Sequence, residues 1–161
     1  AGINGLNCLT FDGAGDNLLC SGANITSAQP LTFVAVVQFA AVGSLSSYLL
    51  NSGSTVVGVS VNGSNWRLWA PTQTPVGTAD TNLHCFISVL NGASSEVFID
   101  GASVGTLNPG TNGFSASNLQ LGRTAGGTGY MNGLAGETMV LPGSASVSVL
   151  NAYIKAKWGT P

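Results

Sequence analysis

The sequence predicts an all-β fold, an antiparallel jelly-roll β-sandwich with a short C-terminal helix, and three observations lead there. Apolar residues alternate with a period of two, Asn-Gly and Asp-Gly pairs punctuate the runs between, and helical periodicity appears only near the chain's end. In 31–39 (LTFVAVVQF) Leu31, Phe33, Ala35, Val37 and Phe39 share one face, and in 84–90 (HCFISVL) Cys85, Ile87 and Val89 do so. Asn62-Gly63, Asn91-Gly92, Asp100-Gly101 and Asn132-Gly133 supply the positive φ angles of tight turns, so the chain is expected to reverse at each. The clearest hairpin is 96–107 (EVFIDGASVGTL), where β-branched and aromatic residues flank Asp100-Gly101. No helical segments alternate with these strands, which argues against a parallel α/β sheet. In 146–159 Leu150, Ile154 and Trp158 recur every four residues beside Tyr153, with Lys155 and Lys157 in the last turn and Gly159 as the cap. This reads as an amphipathic helix laid over an edge of the sandwich.

The 161 residues hold no linker rich in charge or proline, so one domain over 1–161 is expected. Charged residues make up only 6%, against about 25% in ordinary soluble domains, so serine, threonine and asparagine must keep the surface wet. Such a neutral surface suits secreted proteins and virus particles, where subunits pack closely without mutual repulsion, and self-association into a homo-oligomer is expected. With a net charge of −2 and only Arg67, Arg123, Lys155 and Lys157 as strong cations, neither nucleic acid nor an anionic membrane is an expected partner. No stretch approaches the roughly 20 apolar residues of a membrane-crossing helix. The N-terminus lacks the pattern of a signal peptide, and a start at Ala1 reads as a processed chain or a fragment.

Cys8, Cys20 and Cys85 make an odd count, which is no disulfide framework. They read as small buried hydrophobes, with a Cys8–Cys20 link across a hairpin at 12–16 as the alternative.

Taken in order, the segments 8–20 (CLTFDGAGDNLLC), 31–39, 84–106 (HCFISVLNGASSEVFIDGASVGT) and 119–159 resemble the concanavalin A-like superfamily, particularly its laminin-G-like branch. The first is similar to the opening strand with its aromatic-Asp-Gly turn, and the third to the paired central strands ending in an Asp-Gly-x-x-Val-Gly hairpin. The last is similar to the closing Leu-x-Leu-Gly strand, glycine-rich loop, Gly-x-x-Gly-Glu strand and helix. The resemblance implies two packed antiparallel sheets. It admits lectins, glucanases, adhesion modules and bacteriophage virion proteins alike.

Retaining glycosidases of that superfamily carry two glutamates close together on one strand, whereas Glu96 and Glu137 are isolated, so no catalytic residue is expected. Glu137 is read as bonding nearby backbone. His84 and Cys85 are neighbours on a strand and must point to opposite faces, which rules out a thiol catalyst. The resemblance admits Ca²⁺ at Asp12 and Asp16, against the plainer reading that these carboxylates close their own turn; Asp100 is read as turn chemistry. No other cofactor is expected. For ligand recognition, aromatics beside amides and cations are the signal, because sugar rings stack on aromatic faces while polar groups bond their hydroxyls. Trp66, Arg67 and Trp69 in 62–72 and Arg123, Tyr130 and Asn132 in 122–133 have that mixture. Alternation puts one of the two tryptophans in the core and leaves the other on the surface. The expected function is a non-catalytic carbohydrate- or cell-surface-binding module, extracellular or displayed on a phage particle. The alternative is a structural virion protein, such as a capsid decoration or fibre domain, partnered by other virion subunits; a glycan hydrolase ranks below both.

Overall fold

The computed structural model describes residues 2–43, 46–51, 56–69, 72–108, 110–111, 114–124 and 128–161, without the side chains of 23–25, 46–51, 56 and 114–119. Ala70 and Pro71 of the first expected binding segment, and Ala125–Gly127 of the second, lie outside the described residues. The strands in chain order are β1 (Gly2–Ile3), β2 (Leu6–Asn7), β3 (Leu9–Asp12), β4 (Leu18–Ser27), β5 (Leu31–Phe39), β6 (Ser46–Asn51) and β7 (Val56–Asn62). They continue with β8 (Asn65–Trp69), β9 (Gln73–Thr78), β10 (Leu83–Leu90), β11 (Ser95–Ile99), β12 (Ala102–Leu107), β13 (Phe114–Leu121) and β14 (Asn132–Pro142), and the helix α1 spans Val147–Trp158. One six-stranded sheet runs β12-β11-β10-β5-β14-β3 and the other β4-β13-β6-β7-β8-β9. Every pairing between them is antiparallel. The sequence expectation of a jelly-roll sandwich with a C-terminal helix holds.

The core lies between the sheets. Leu31, Phe33, Ala35, Val37 and Phe39 of β5, with Phe86 and Leu90 of β10, meet Val57, Val59 and Val61 of β7 and Trp66 and Leu68 of β8. A second apolar cluster covers the opposite face of the first sheet: Val34, Val36, Cys85 and Ile87 are buried beneath Ile154 and Trp158 of α1. The helix therefore lies over the face of the sheet and not over its edge. Its placement follows from β5 and β10, which are apolar on both sides and need cover on both.

The Gly-x-x-Gly-Glu run of β14 seats the helix. Ala135 pairs with Val37 but Thr138 with Ala35, so β14 carries one extra residue. That bulge turns Gly136 and Glu137 both to the helix side, where strict alternation would have aimed Glu137 into the core. Gly136 lies under the indole of Trp158, which a Cβ would meet at 2.9 Å. Glu137 accepts hydrogen bonds from Trp158 Nε1 (2.8 Å) and Tyr153 Oη (3.1 Å) and pairs with Lys157 Nζ at 3.1 Å. It thus bonds side chains of the helix, in place of the expected backbone. Burial pushes its carboxyl up, but the bonds from Trp158, Lys157 and Tyr153 together hold it below its ordinary range. Gly159 caps the helix at φ 70°, its N–H donating to the Lys155 carbonyl, and the amide of Asn4 donates to the Lys157 carbonyl.

Two expected turns differ in kind. Asn91-Gly92 leads into a single 3-10 turn, Gly92–Ser94, which makes a longer connection than a two-residue hairpin. Asn132-Gly133 opens β14 and makes no hairpin: Gly133 has φ 147°, and a Cβ there would lie 2.0 Å from the Gln38 carbonyl oxygen. Glycine serves there for close backbone approach and not for a turn. The 12–16 turn likewise joins strands of different sheets, β3 and β4. Cys8 and Cys20 are therefore not disulfide-bonded to each other, and of the three thiols only Cys85 is buried. Burial, with the Asp100 charge adding, pushes the Cys85 thiol up to about 12.

Asp100 and Gly101 form the expected two-residue turn, at φ 54° and 84°, but the Asp100 carboxylate leaves it. It accepts the Cys85 N–H at 2.8 Å and bonds His84 Nδ1 at 2.6 Å. His84 Nε2 meets Asp80 Oδ1 at 2.9 Å, so the ring bridges two carboxylates while its edge packs on Trp66 and Phe86. His84 and Cys85 do point to opposite faces of the sheet. The Asp100 bond, against partial burial and with Asp80 adding, raises the His84 imidazole above its ordinary range.

Three outcomes are expected. Gly133→Ala should lower stability by more than about 1 kcal/mol in urea titration, because the added methyl must displace backbone. In the native state Ellman's reagent should label Cys20 and leave Cys85 unreacted until denaturant is added. Because the folded-state pKa of His84 is raised, its clamp contributes fully below the unfolded value of about 6.5 and is lost as pH rises through the folded value. Urea midpoints should therefore fall on the alkaline side of that value, and His84→Gln should flatten the slope.

Candidate functional site

The Gly63–Ser64 turn pairs Asn62 with Asn65 and sets the phase of β8. Trp66 and Leu68 then point inward and Arg67 and Trp69 outward, on the face of the second sheet away from the core. Trp66 is only 2% exposed and packs on Phe39 and Phe86. It belongs to the core, which removes it from the expected ligand-binding set.

On the outer face a polar network holds Trp69. Its indole Nε1 donates to Ser60 Oγ at 2.9 Å, Gln73 Nε2 donates to the same oxygen at 3.4 Å, and Arg67 Nη1 donates to Gln73 Oε1 at 3.4 Å. Arg67 and Trp69 are both half-buried, while Arg67 Nε is shielded from water and has no acceptor among the described residues. The register supplies the rest: Trp69 pairs with Gly58 on one side and Gln73 on the other, and Arg67 with Ser60. An indole braced by a hydroxyl, flanked by a guanidinium and an amide, combines an apolar platform with directional donors. Ser60 and Gln73 were absent from the sequence-derived set. The alternation of 57–62 (VGVSVN), with Val57, Val59 and Val61 inward and Gly58 and Ser60 outward, signals Ser60; Gln73 becomes a neighbour only through the β8–β9 register.

Arg123, Tyr130 and Asn132 stand elsewhere. Arg123 and Tyr130 belong to the connection from β13 to β14, and Asn132 opens β14 at its end; the neck of the connection is closed by Met131 N–H to the Gly122 carbonyl at 2.8 Å and by bonds between Thr124 and Thr128. Arg123 and Tyr130 are half-buried. Asn132 is exposed and lines a groove of about 460 Å³ with Thr10, Gln38, Ala40, Thr81 and Leu134. In the second sheet β6 and β7 separate β13 from β8, about 14 Å at the usual strand spacing. The six expected residues thus divide among the core, an outer sheet face and a rim loop.

Asp12 Oδ1 accepts the N–H groups of Ala14, Gly15 and Asp16, and Asp16 Oδ2 accepts that of Asp12. Those backbone bonds, Ala14's first, hold the Asp12 carboxyl below its ordinary range. Calcium takes six to eight oxygens; these two carboxylates are engaged by their own turn, and among the described residues no third acidic group joins them. The pair does not fit a calcium site. Glu96 and Glu137 lie on β11 and β14, strands about 14 Å apart with β10 and β5 between them, and are further offset along the strands, where a retaining pair needs about 5 Å.

No protein-family model matches this sequence, and no curated protein matches it. Solved structures do resemble the fold. The chain superposes on Trypanosoma rangeli sialidase in complex with sialic acid with a TM-score of 0.65 and 14% identity, covering 96% of this chain and 28% of the sialidase. A native heptameric SAP-like pentraxin from Limulus polyphemus matches at 0.65 and 10% identity over 88% of this chain and 78% of its own. The binding domain of botulinum neurotoxin serotype G matches at 0.67 and 7% identity over 100% of this chain and 49% of that domain. The chain thus spans less than a third of the sialidase and about half of the toxin domain. At these identities the likeness concerns the fold alone, a jelly-roll β-sandwich.

Proposed function

We propose that this domain is a non-catalytic carbohydrate-binding module that works outside the cell or on the surface of a particle. The observation behind the reading is the Trp69 platform: a half-buried indole braced by Ser60, with Arg67 and Gln73 beside it, on the outer face of the second sheet. A sugar presents an apolar face of C–H groups ringed by hydroxyls, which matches an aromatic surface edged by donors and acceptors. The low charge of the chain suits a neutral ligand. The separation of Glu96 from Glu137 supports binding without hydrolysis, and the fold's neighbours include a sialidase solved with sialic acid and a toxin's binding domain.

A second reading, assembly into a virion or other multi-subunit particle, has its own observation. Leu18 and Leu19 are 49% and 59% exposed on edge strand β4, next to exposed Leu9 on edge strand β3. Uncharged apolar edges of that kind suit packing against another subunit.

A glycan array followed by calorimetry on the best ligand tests the first reading. Trp69→Ala should weaken binding roughly tenfold or more, about 1.4 kcal/mol, while leaving the urea midpoint close to that of the parent. A blank array, together with sedimentation as a large oligomer that Leu19→Ser dissociates, would favour assembly instead.

A further inference from the structure

The two contacts that His84 makes need more protons than its neutral ring supplies. Nδ1 lies 2.6 Å from Asp100 Oδ2 and Nε2 lies 2.9 Å from Asp80 Oδ1. Each contact joins a ring nitrogen to a carboxylate oxygen, and an ionised carboxylate only accepts. Two hydrogens are therefore required, whereas a neutral imidazole with two ionised carboxylates carries one. The geometry calls for an additional proton whichever atom it rests on, and its departure breaks one of the two contacts.

The surroundings decide which one. The Asp100 contact is the shorter, the Asp100 side chain is only 15% exposed, and its other oxygen holds the Cys85 N–H at 2.8 Å. The Asp80 side chain is 49% exposed, so water takes the place of the ring there at little cost. Among the described residues no other charged group faces the ring. Trp66 of β8 and Phe86 of β10 pack against it, and Val37 is its partner on β5. Arg67 points away on the outer face of the second sheet, and the Cys85 thiol lies on the opposite face of the first.

Asp80 belongs to the connection 79–82, which passes from β9 in one sheet to β10 in the other. Its Oδ1 also accepts the Asn82 N–H at 2.7 Å. The Ala79 N–H donates to the Ser64 carbonyl at 2.9 Å, and Gln38 Nε2 donates to the Thr81 carbonyl at 3.1 Å. Through His84 the connection is tied further, to Asp100 and the β11–β12 hairpin. Thr81 in turn lines the rim groove with Gln38 and Asn132.

We propose that the β9–β10 connection is a proton-dependent latch on the rim groove. With the additional proton on the Asp80–His84–Asp100 set the latch is closed. As pH rises and that proton leaves, the Nε2–Asp80 contact parts, the Nδ1–Asp100 contact stays, and the Thr81 wall of the groove loosens. The latch depends on no assignment made for the Trp69 face.

Nitrogen-15 NMR of the full chain, from about pH 5 to about pH 10, reads the two ring nitrogens separately. Nε2 should lose its proton on the alkaline side while Nδ1 keeps its own. Over the same range the protection of the Ala79 amide, corrected for the intrinsic exchange rate at each pH, should fall roughly tenfold or more. Asp80→Asn should abolish that fall, because by a turn of its amide it accepts from a protonated Nε2 and donates to a bare one. Asp80→Ala should leave the Ala79 amide weakly protected at every pH, with far-ultraviolet circular dichroism confirming the fold of both variants. Loss of the proton from Nδ1 in place of Nε2 overturns the proposal. So does Ala79 protection that stays constant with pH in the parent, or that falls as far in Asp80→Asn.

Discussion

Two-sided burial of the central strands β5 and β10 is the constraint from which the rest of the architecture follows. Phe33 and Phe39 face the second sheet while Val34 and Val36 on the same strand face α1. A strand apolar on both sides must be covered twice, so the molecule has three layers: one sheet, a second sheet and a helix. The roughly 25 cal/mol gained per Å² of apolar surface removed from water acts on both faces of the same strands.

The bulge in β14 makes the second layer specific. A helix resting on valines alone would slide, since apolar contact has no direction. By turning Gly136 and Glu137 to the same side, the extra residue gives Trp158 a flat seat and a hydrogen-bond acceptor at once. At the other end of the helix Asn151 rests against Gly101 of the β11–β12 hairpin.

Polar groups in this chain work locally and in small sets. Asp12 organises its own turn, Asp100 leaves its turn to clamp His84, and Ser60 braces Trp69. With so few charges, each is placed where it fixes geometry, and the open surface is left to hydroxyls and amides. Arg67 forms no ion pair among the described residues and stands beside Trp69 on the surface assigned to a ligand.

What was legible from residues alone is what depends on neighbours along the chain. Period-two alternation located β5, β8 and β10, the Asp100-Gly101 pair located a hairpin, and spacing of four with a terminal glycine located α1, because each is a local backbone or side-chain direction. Asn132-Gly133 shows the limit, for the same dipeptide serves a turn or a close approach depending on whether another backbone lies beside it. Tertiary structure alone decided that Trp66 is core and Trp69 surface, that the 12–16 turn crosses between sheets and that Glu137 faces the helix. It also decided that Ser60 and Gln73 join Arg67 and Trp69. Each of those outcomes rests on strand register and sheet order, which come from the packing of residues distant in sequence and leave no mark in any one segment.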